Sequence, residues 1–146
     1  MTSSIDDPAE IARVLGSART IAVVGASPNP ARPSHSITRY LIEAGFEVYP
    51  VNPEAAEVLG RRSYPDLASI PEGVRIDVVD VFRRSEAVPP VAEAALERKV
   101  GFFFMQDGVV DPASARRLAA AGIGVAMDRC IYRDLESIRR SGAVRP

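Results

Sequence analysis

The residues with the clearest chemical potential lie in one turn, between an apolar run at residues 20–24 and the start of a helix. Gly25 opens the turn, which also contains Ser27, Arg32, Ser34 and three prolines. A glycine lets a ligand approach the backbone closely, while the hydroxyls, the guanidinium and the positive end of the following helix suit a pyrophosphate. The sequence therefore predicts a stiff phosphate-binding loop. An ordinary strand-to-helix connection is the alternative.

Missing nucleotide-binding motifs limit which nucleotides the protein is expected to bind. The sequence contains neither a complete G-x-G-x-x-G fingerprint nor a G-x-x-x-x-G-K-[ST] motif. The second predicted strand ends in Asn52, where NAD-binding proteins usually carry an Asp or Glu that holds the ribose. These observations disfavour NAD and a Walker-type triphosphate site.

The composition of the chain indicates a soluble globular protein. It has 146 residues, 47% of them hydrophobic and 25% charged, which fits a single domain over residues 1–146. The net charge of −1 predicts no nucleic-acid partner, and the apolar runs are too short for a membrane span. With one cysteine and no apolar signal segment after Met1, we expect a cytoplasmic location. One His and one Cys do not suffice for a structural zinc site.

Short apolar runs alternate with helical patterns along the chain. The predicted strands are residues 21–24, 47–51, 76–82, 100–105 and 123–127. Helices are predicted at about residues 6–16, 34–44, 85–98, 112–121 and 131–141, with helical turns at residues 54–59 and 65–71. This alternation predicts an α/β, Rossmann-like three-layer fold over a core of about residues 20–130. We expect a five-stranded parallel sheet with strand order 3-2-1-4-5.

Ligands of such sheets bind beyond the carboxyl ends of the strands. The residues that follow each strand are therefore the candidates: residues 25–34, 52–53, 82–84, 106–108 and 128–130.

Several titratable residues allow two interpretations. Asp107 and Asp128 could form a catalytic pair, although turn formation and helix capping explain them better. Asp77 and Asp80 lie inside a predicted buried strand and need partners. His35 is expected at the surface.

Five motifs, at residues 25–28, 32–34, 50–53, 80–85 and 127–130, resemble in order those of small stand-alone CoA-binding proteins. That family resembles the CoA-binding domain of the succinyl-CoA synthetase α subunit. The chain ends soon after this module, so the ligase activity of the synthetase is not carried over.

The resemblance implies that the first loop holds the CoA pyrophosphate. It further implies that Asn52 and Pro53, with the turn at Phe82 and Arg83, flank the adenine and the ribose phosphate. Arg83 or Arg84 is then expected to bind the 3′-phosphate through bidentate hydrogen bonds. The path of the pantetheine arm is expected along residues 106–108.

Cys130 follows the last predicted strand on the ligand side. It is either a buried structural thiol or a thiol near the CoA sulfur that could form a mixed disulfide with CoA. The complete set of expected ligand-binding residues is Gly25, Ala26, Ser27, Pro28, Arg32, Pro33, Ser34, Asn52, Pro53, Phe82, Arg83, Arg84, Gln106, Gly108 and Cys130.

The sequence therefore favours a protein that binds coenzyme A or an acyl-CoA without catalysis of its own. It contains no recognisable arrangement of nucleophile, base and orienting group. A small CoA- or NAD(P)-dependent enzyme and a ligand-regulated interaction protein are the alternatives.

Overall fold

A parallel sheet of five strands lies at the centre of the protein, as seen in a computed structural model that describes residues 3–142. The strands are β1 (Thr20–Val24), β2 (Glu47–Val51), β3 (Glu57–Val58), β4 (Arg61–Arg62), β5 (Val78–Val81), β6 (Phe102–Met105) and β7 (Gly124–Ala126). The central sheet has the order β2-β1-β5-β6-β7, and β3 and β4 form a separate antiparallel hairpin. Every residue of β1, β5, β6 and β7 is buried, which explains why these strands appear as mainly apolar runs, with Thr20 in β1 and Asp80 in β5 as exceptions.

Helices cover both faces of the sheet. They are α1 (Pro8–Ser17), α2 (Pro33–Glu43), α3 (Val88–Arg98), α4 (Pro112–Ala120) and α5 (Ile131–Ser141). Apolar residues of α1, α2 and α5 belong to the core on one face, and those of α3 and α4 belong to the core on the other face. The α/β, Rossmann-like three-layer fold is thus confirmed.

The order of the strands differs from the expected 3-2-1-4-5. Counted over the five long strands, the sheet reads 2-1-3-4-5, because β5 lies between β1 and β6 rather than at the edge beside β2. Asp77 explains part of this placement. Its carboxylate accepts hydrogen bonds from the backbone N–H groups of Arg19 and Thr20, at 2.9 and 3.1 Å, and so joins the start of β5 to the start of β1. We expected Asp77 to need a partner. Its main partners are the backbone N–H groups at the start of β1.

The connection from β2 to β5 contains no long helix. The helical turn predicted at residues 54–59 is wrong, because the β3–β4 hairpin occupies that region. A short 3₁₀ helix, Leu67–Ser69, follows it. The guanidinium of Arg98 then fixes the segment by donating to four backbone carbonyls, those of Leu67, Ile70, Pro71 and Val74.

Each edge of the central sheet is covered in part. Ile5 forms an isolated parallel bridge with Val125 beside β7, and Tyr64 forms another with Val51 beside β2. None of the helices within residues 3–142 combines the length and the apolar character needed to span a bilayer.

Candidate functional site

A cavity of about 560 Å³ opens where β1, β2, β5 and β6 end. Its walls are Gly25, Ser27, Arg32, Pro33, Ser34, Asn52, Pro53, Glu54, Phe82, Arg83, Arg84, Gln106, Asp107, Gly108 and Val109. The fold therefore brings most of the predicted ligand-binding residues to one place. Ala26, Pro28 and Cys130 do not line this cavity. Glu54 and Val109 also line the cavity, although the sequence did not single them out. Their closeness in the chain to the predicted residues Asn52 and Gly108 could have indicated them.

Gly25 allows three strands to converge on the cavity. Its φ angle is +92°, and its N–H group donates to the carbonyl of Val51 at 2.9 Å. A Cβ atom on this residue would lie only 2.1 Å from the carbonyl oxygen of Phe82. A side chain would therefore be strained by the backbone angle and would collide with the end of β5.

Asn52 connects the end of β2 to the first loop. Its Nδ2 donates to the carbonyl of Ala26 at 2.8 Å, and its Oδ1 accepts from the N–H of Glu54, also at 2.8 Å. An aspartate could accept the second bond but could not donate the first. Asn52 disfavours NAD at the level of the sequence. In the structure it also holds the first loop at the end of β2.

The beginning of α2 faces the cavity through Arg32, Pro33 and Ser34. Arg32 is the N-cap residue, and no side chain from the described part of the protein caps this end of the helix. Pro33 has no N–H group and that of His35 donates to the carbonyl of Arg32, so the N–H group of Ser34 and the helix dipole are what this end offers to an anion. This arrangement agrees with the predicted phosphate-binding character of the loop.

His35 is buried rather than at the surface, so that expectation is wrong. The residue is 6% exposed, and its Nδ1 lies 2.8 Å from the carbonyl oxygen of Ser27, to which it donates. The spacing of three and six residues from Thr38 and Leu41, which are also buried on α2, was the signal for this orientation. His35 thus holds the first loop against α2 through this hydrogen bond.

The cavity carries an excess of positive charge. Arg32, Arg83 and Arg84 line it, and none of the three forms an ion pair within residues 3–142. Of the two carboxylates in the walls, that of Asp107 is paired with Arg133 at 2.6 Å. Unpaired guanidinium groups beside a helix N-terminus favour a ligand with several negative charges.

Gln106 joins the cavity wall to α5. It is 3% exposed, and its Oε1 accepts a hydrogen bond from the N–H of Ile131 at 2.9 Å. Cys130, the N-cap residue of α5, is 7% exposed and does not reach the cavity. This location favours the interpretation of Cys130 as a buried structural thiol.

Asp80 has no partner for its charge. It lies in β5 between Val23 and Phe104, is completely buried, and neither of its carboxylate oxygens has a hydrogen-bond partner among the described residues. Burial raises the pKa of this carboxyl well above its ordinary value, because the charged form loses its hydration. The partner that the sequence required for Asp80 is therefore not found within residues 3–142, and Asp80 does not line the cavity.

Comparisons with known proteins agree with this geometry. A family model described as a CoA binding domain matches residues 19–136. The uncharacterized protein YneT of Bacillus subtilis (strain 168) is 43% identical over 123 residues, which are 84% of this chain and 90% of YneT. A solved structure of a hypothetical protein from Pyrococcus horikoshii OT3 superposes with a TM-score of 0.86 at 33% identity, and covers 91% of this chain and 92% of that one.

A longer enzyme contains a related segment. The ADP-forming acetate–CoA ligase II of Archaeoglobus fulgidus is 33% identical over 93 residues, which are 62% of this chain and 14% of the ligase. The similarity thus concerns a small part of that enzyme.

Proposed function

This chain belongs to the CoA-binding domain family, and from that premise we propose that it binds coenzyme A or an acyl-CoA in the cavity without catalysing a reaction of its own. The observation that carries the proposal is the set of three arginines, without an ion pair among residues 3–142, beside the N-terminus of α2. CoA combines a pyrophosphate with a 3′-phosphate, and these groups match two sources of positive charge in one cavity.

The pyrophosphate lies at the first loop, where the guanidinium of Arg32 and the hydroxyl and N–H group of Ser34 are available. The adenosine part lies between the turn at Asn52 and Pro53 and the turn at Phe82, with its 3′-phosphate on Arg83 or Arg84. The pantetheine arm follows the wall formed by residues 106–109. This arrangement assigns each charged part of CoA to a basic feature of the cavity.

The absence of catalysis is supported by how the reactive side chains are used. His35 is bonded to the carbonyl of Ser27, and the carboxylate of Asp107 to Arg133. Cys130 is buried away from the cavity. Because the 93 aligned residues are only 14% of the acetate–CoA ligase, we do not assign that enzyme's activity to this chain.

Isothermal titration calorimetry of the full chain against CoA, acetyl-CoA, NAD and NADP tests the proposal. We expect binding of CoA or acetyl-CoA and none of NAD at the same concentrations. Binding of NAD or NADP without CoA would overturn the proposal and favour a nicotinamide-dependent enzyme. Turnover of acetyl-CoA by the pure protein would overturn the claim that it lacks catalysis.

Native mass spectrometry of protein purified from its own cells identifies the ligand directly. A bound mass that matches CoA or one of its thioesters supports the proposal and gives the acyl group. A different nucleotide bound at one equivalent would contradict it.

A further inference from the structure

The turn at Gly108 is held by a residue outside the cavity. Residues 106–109 form one wall, and the N–H group of Gly108 donates to Oδ1 of Asp128 at 2.7 Å. The backbone N–H of Asp128 in turn donates to the carbonyl of Val109 at 3.2 Å. Asp128 therefore bonds to two successive residues of this wall, although it does not line the cavity itself.

Asp128 adopts a backbone conformation that few side chains accept. Its φ angle is +55°, in the left-handed region, which glycine adopts without strain and asparagine and aspartate tolerate better than other residues. A glycine here would satisfy the backbone but would leave the Gly108 N–H without its acceptor. The local backbone conformation does not require an aspartate here. Its side chain is needed to accept the hydrogen bond from Gly108.

Ser85 holds the same turn from the opposite side. Its Oγ accepts from the N–H of Val110 at 2.9 Å and donates to the carbonyl of Gly108 at 3.4 Å. Ser85 directly follows Arg83 and Arg84, so the arginine turn and the Gly108 turn are bonded to each other. The peptide groups of Gly108 are consequently fixed on both sides.

We propose that Asp128 is a positioning residue for CoA, whose carboxylate holds the Gly108 turn in the orientation that lines the cavity. This inference rests on the proposed function. A turn that is already ordered loses less entropy when the ligand binds. If the hydrogen bond to Asp128 is removed, the turn becomes less ordered, and binding weakens although no direct contact with the ligand is lost.

Three variants separate the hydrogen bond from the other properties of Asp128. Asp128→Asn removes the charge but keeps an acceptor oxygen and a tolerated left-handed conformation. Asp128→Gly removes the charge and the acceptor but relieves the backbone. Lys99→Gly is the matched control, because Lys99 has a φ angle of +54° at the exposed end of α3 and does not line the cavity.

CoA affinity is measured by calorimetry and thermal stability by differential scanning calorimetry. We expect Asp128→Gly to weaken CoA roughly tenfold, the equivalent of ~1.4 kcal/mol, with no loss of thermal stability. We expect Asp128→Asn and Lys99→Gly to retain the wild-type affinity within about threefold, which is under ~0.7 kcal/mol. Removal of a negative charge beside an anion site should by itself strengthen binding, so a loss in Asp128→Gly points to the hydrogen bond. Wild-type affinity in Asp128→Gly, or an equal loss in Asp128→Asn, would overturn the proposal.

A second readout does not depend on CoA. In the free protein, the Gly108 amide proton should exchange with solvent more slowly in wild type and Asp128→Asn than in Asp128→Gly, as measured by NMR. If the wild-type protein does not bind CoA, the proposed function is wrong. Amide exchange then tests by itself whether Asp128 holds the Gly108 turn. Equal exchange of the Gly108 amide in all three proteins would overturn that role.

Discussion

The side-chain amide of Asn52 donates a 2.8 Å hydrogen bond to the carbonyl oxygen of Ala26, so the end of β2 holds the first loop in place. We predict that Asn52→Asp destabilises the protein and weakens CoA binding, because a carboxylate cannot donate and would face the carbonyl oxygen. The loss of this bond, with the carbonyl left unpaired, should cost about 1–3 kcal/mol of unfolding free energy. Urea unfolding and calorimetry with CoA and NAD measure both effects.

Asn29→Asp is the matched control for this change. Asn29 lies in the same loop and accepts a hydrogen bond from the N–H of Ala31 through Oδ1, a bond that aspartate can also accept. This variant should keep wild-type stability. Wild-type stability in Asn52→Asp would contradict our interpretation that the amide of Asn52 holds the first loop.

Gly25→Ala should be much more destabilising than a glycine substitution at a similar backbone angle elsewhere. The positive φ angle alone costs on the order of 1–3 kcal/mol, and the collision with the carbonyl of Phe82 adds to it. Gly45→Ala is the comparison, since Gly45 has a φ angle of +99° but open space around a Cβ atom. Equal losses of unfolding free energy in urea for the two variants would refute the importance of the close approach.

Arg83→Ala should weaken CoA more than dephospho-CoA, because only CoA carries the 3′-phosphate. The difference should be on the order of 1.5–3 kcal/mol, the range for hydrogen bonds to charged groups. Calorimetry with both ligands measures it. Arg84→Ala is made in parallel, since either arginine can meet the phosphate.

Arg116→Ala provides the control for these two variants. Arg116 is exposed on α4 and does not line the cavity, so its removal changes the net charge without touching the site. If Arg83→Ala and Arg84→Ala both weaken the two ligands to the same extent, neither arginine binds the 3′-phosphate.

The buried carboxyl of Asp80 should make the stability of the protein depend on pH. Its pKa is raised in the folded state, so its favourable contribution is complete below the unfolded pKa and is lost as the pH rises towards the folded pKa. Over that interval, the unfolding free energy of wild type should fall relative to Asp80→Asn by up to about 1.4 kcal/mol per pH unit. Urea unfolding from pH 4 to pH 8 measures this difference. Parallel pH profiles would show that Asp80 does not titrate in this way.

The sequence predicts those parts of the fold that depend on local patterns. The fully buried strands β1, β5 and β6 are mainly apolar, although β5 contains Asp80. The glycine-led turn after β1 predicts the position of the cavity. The residues that follow the other strands come together there because the carboxyl ends of parallel strands share one edge.

The remaining features depend on contacts between distant residues. The position of β5 beside β1 is fixed partly by hydrogen bonds from the backbone of residues 19 and 20 to Asp77, which no local pattern reveals. The β3–β4 hairpin turns at Leu59 and Gly60, both with positive φ angles, whereas such turns are usually recognised by Asn-Gly or Asp-Gly. The role of His35 as a support of the loop likewise needs the carbonyl of Ser27 in three dimensions.

The covered edges of the central sheet have a consequence for how the protein behaves in a crowded solution. A bare edge strand is a template on which another chain can extend the sheet, a common route to aggregation. Here Ile5 lies along β7, Tyr64 lies beside the end of β2, and Pro50 offers no N–H group for a further strand. These contacts reduce edge-to-edge pairing between copies of the protein at β7 and at the end of β2.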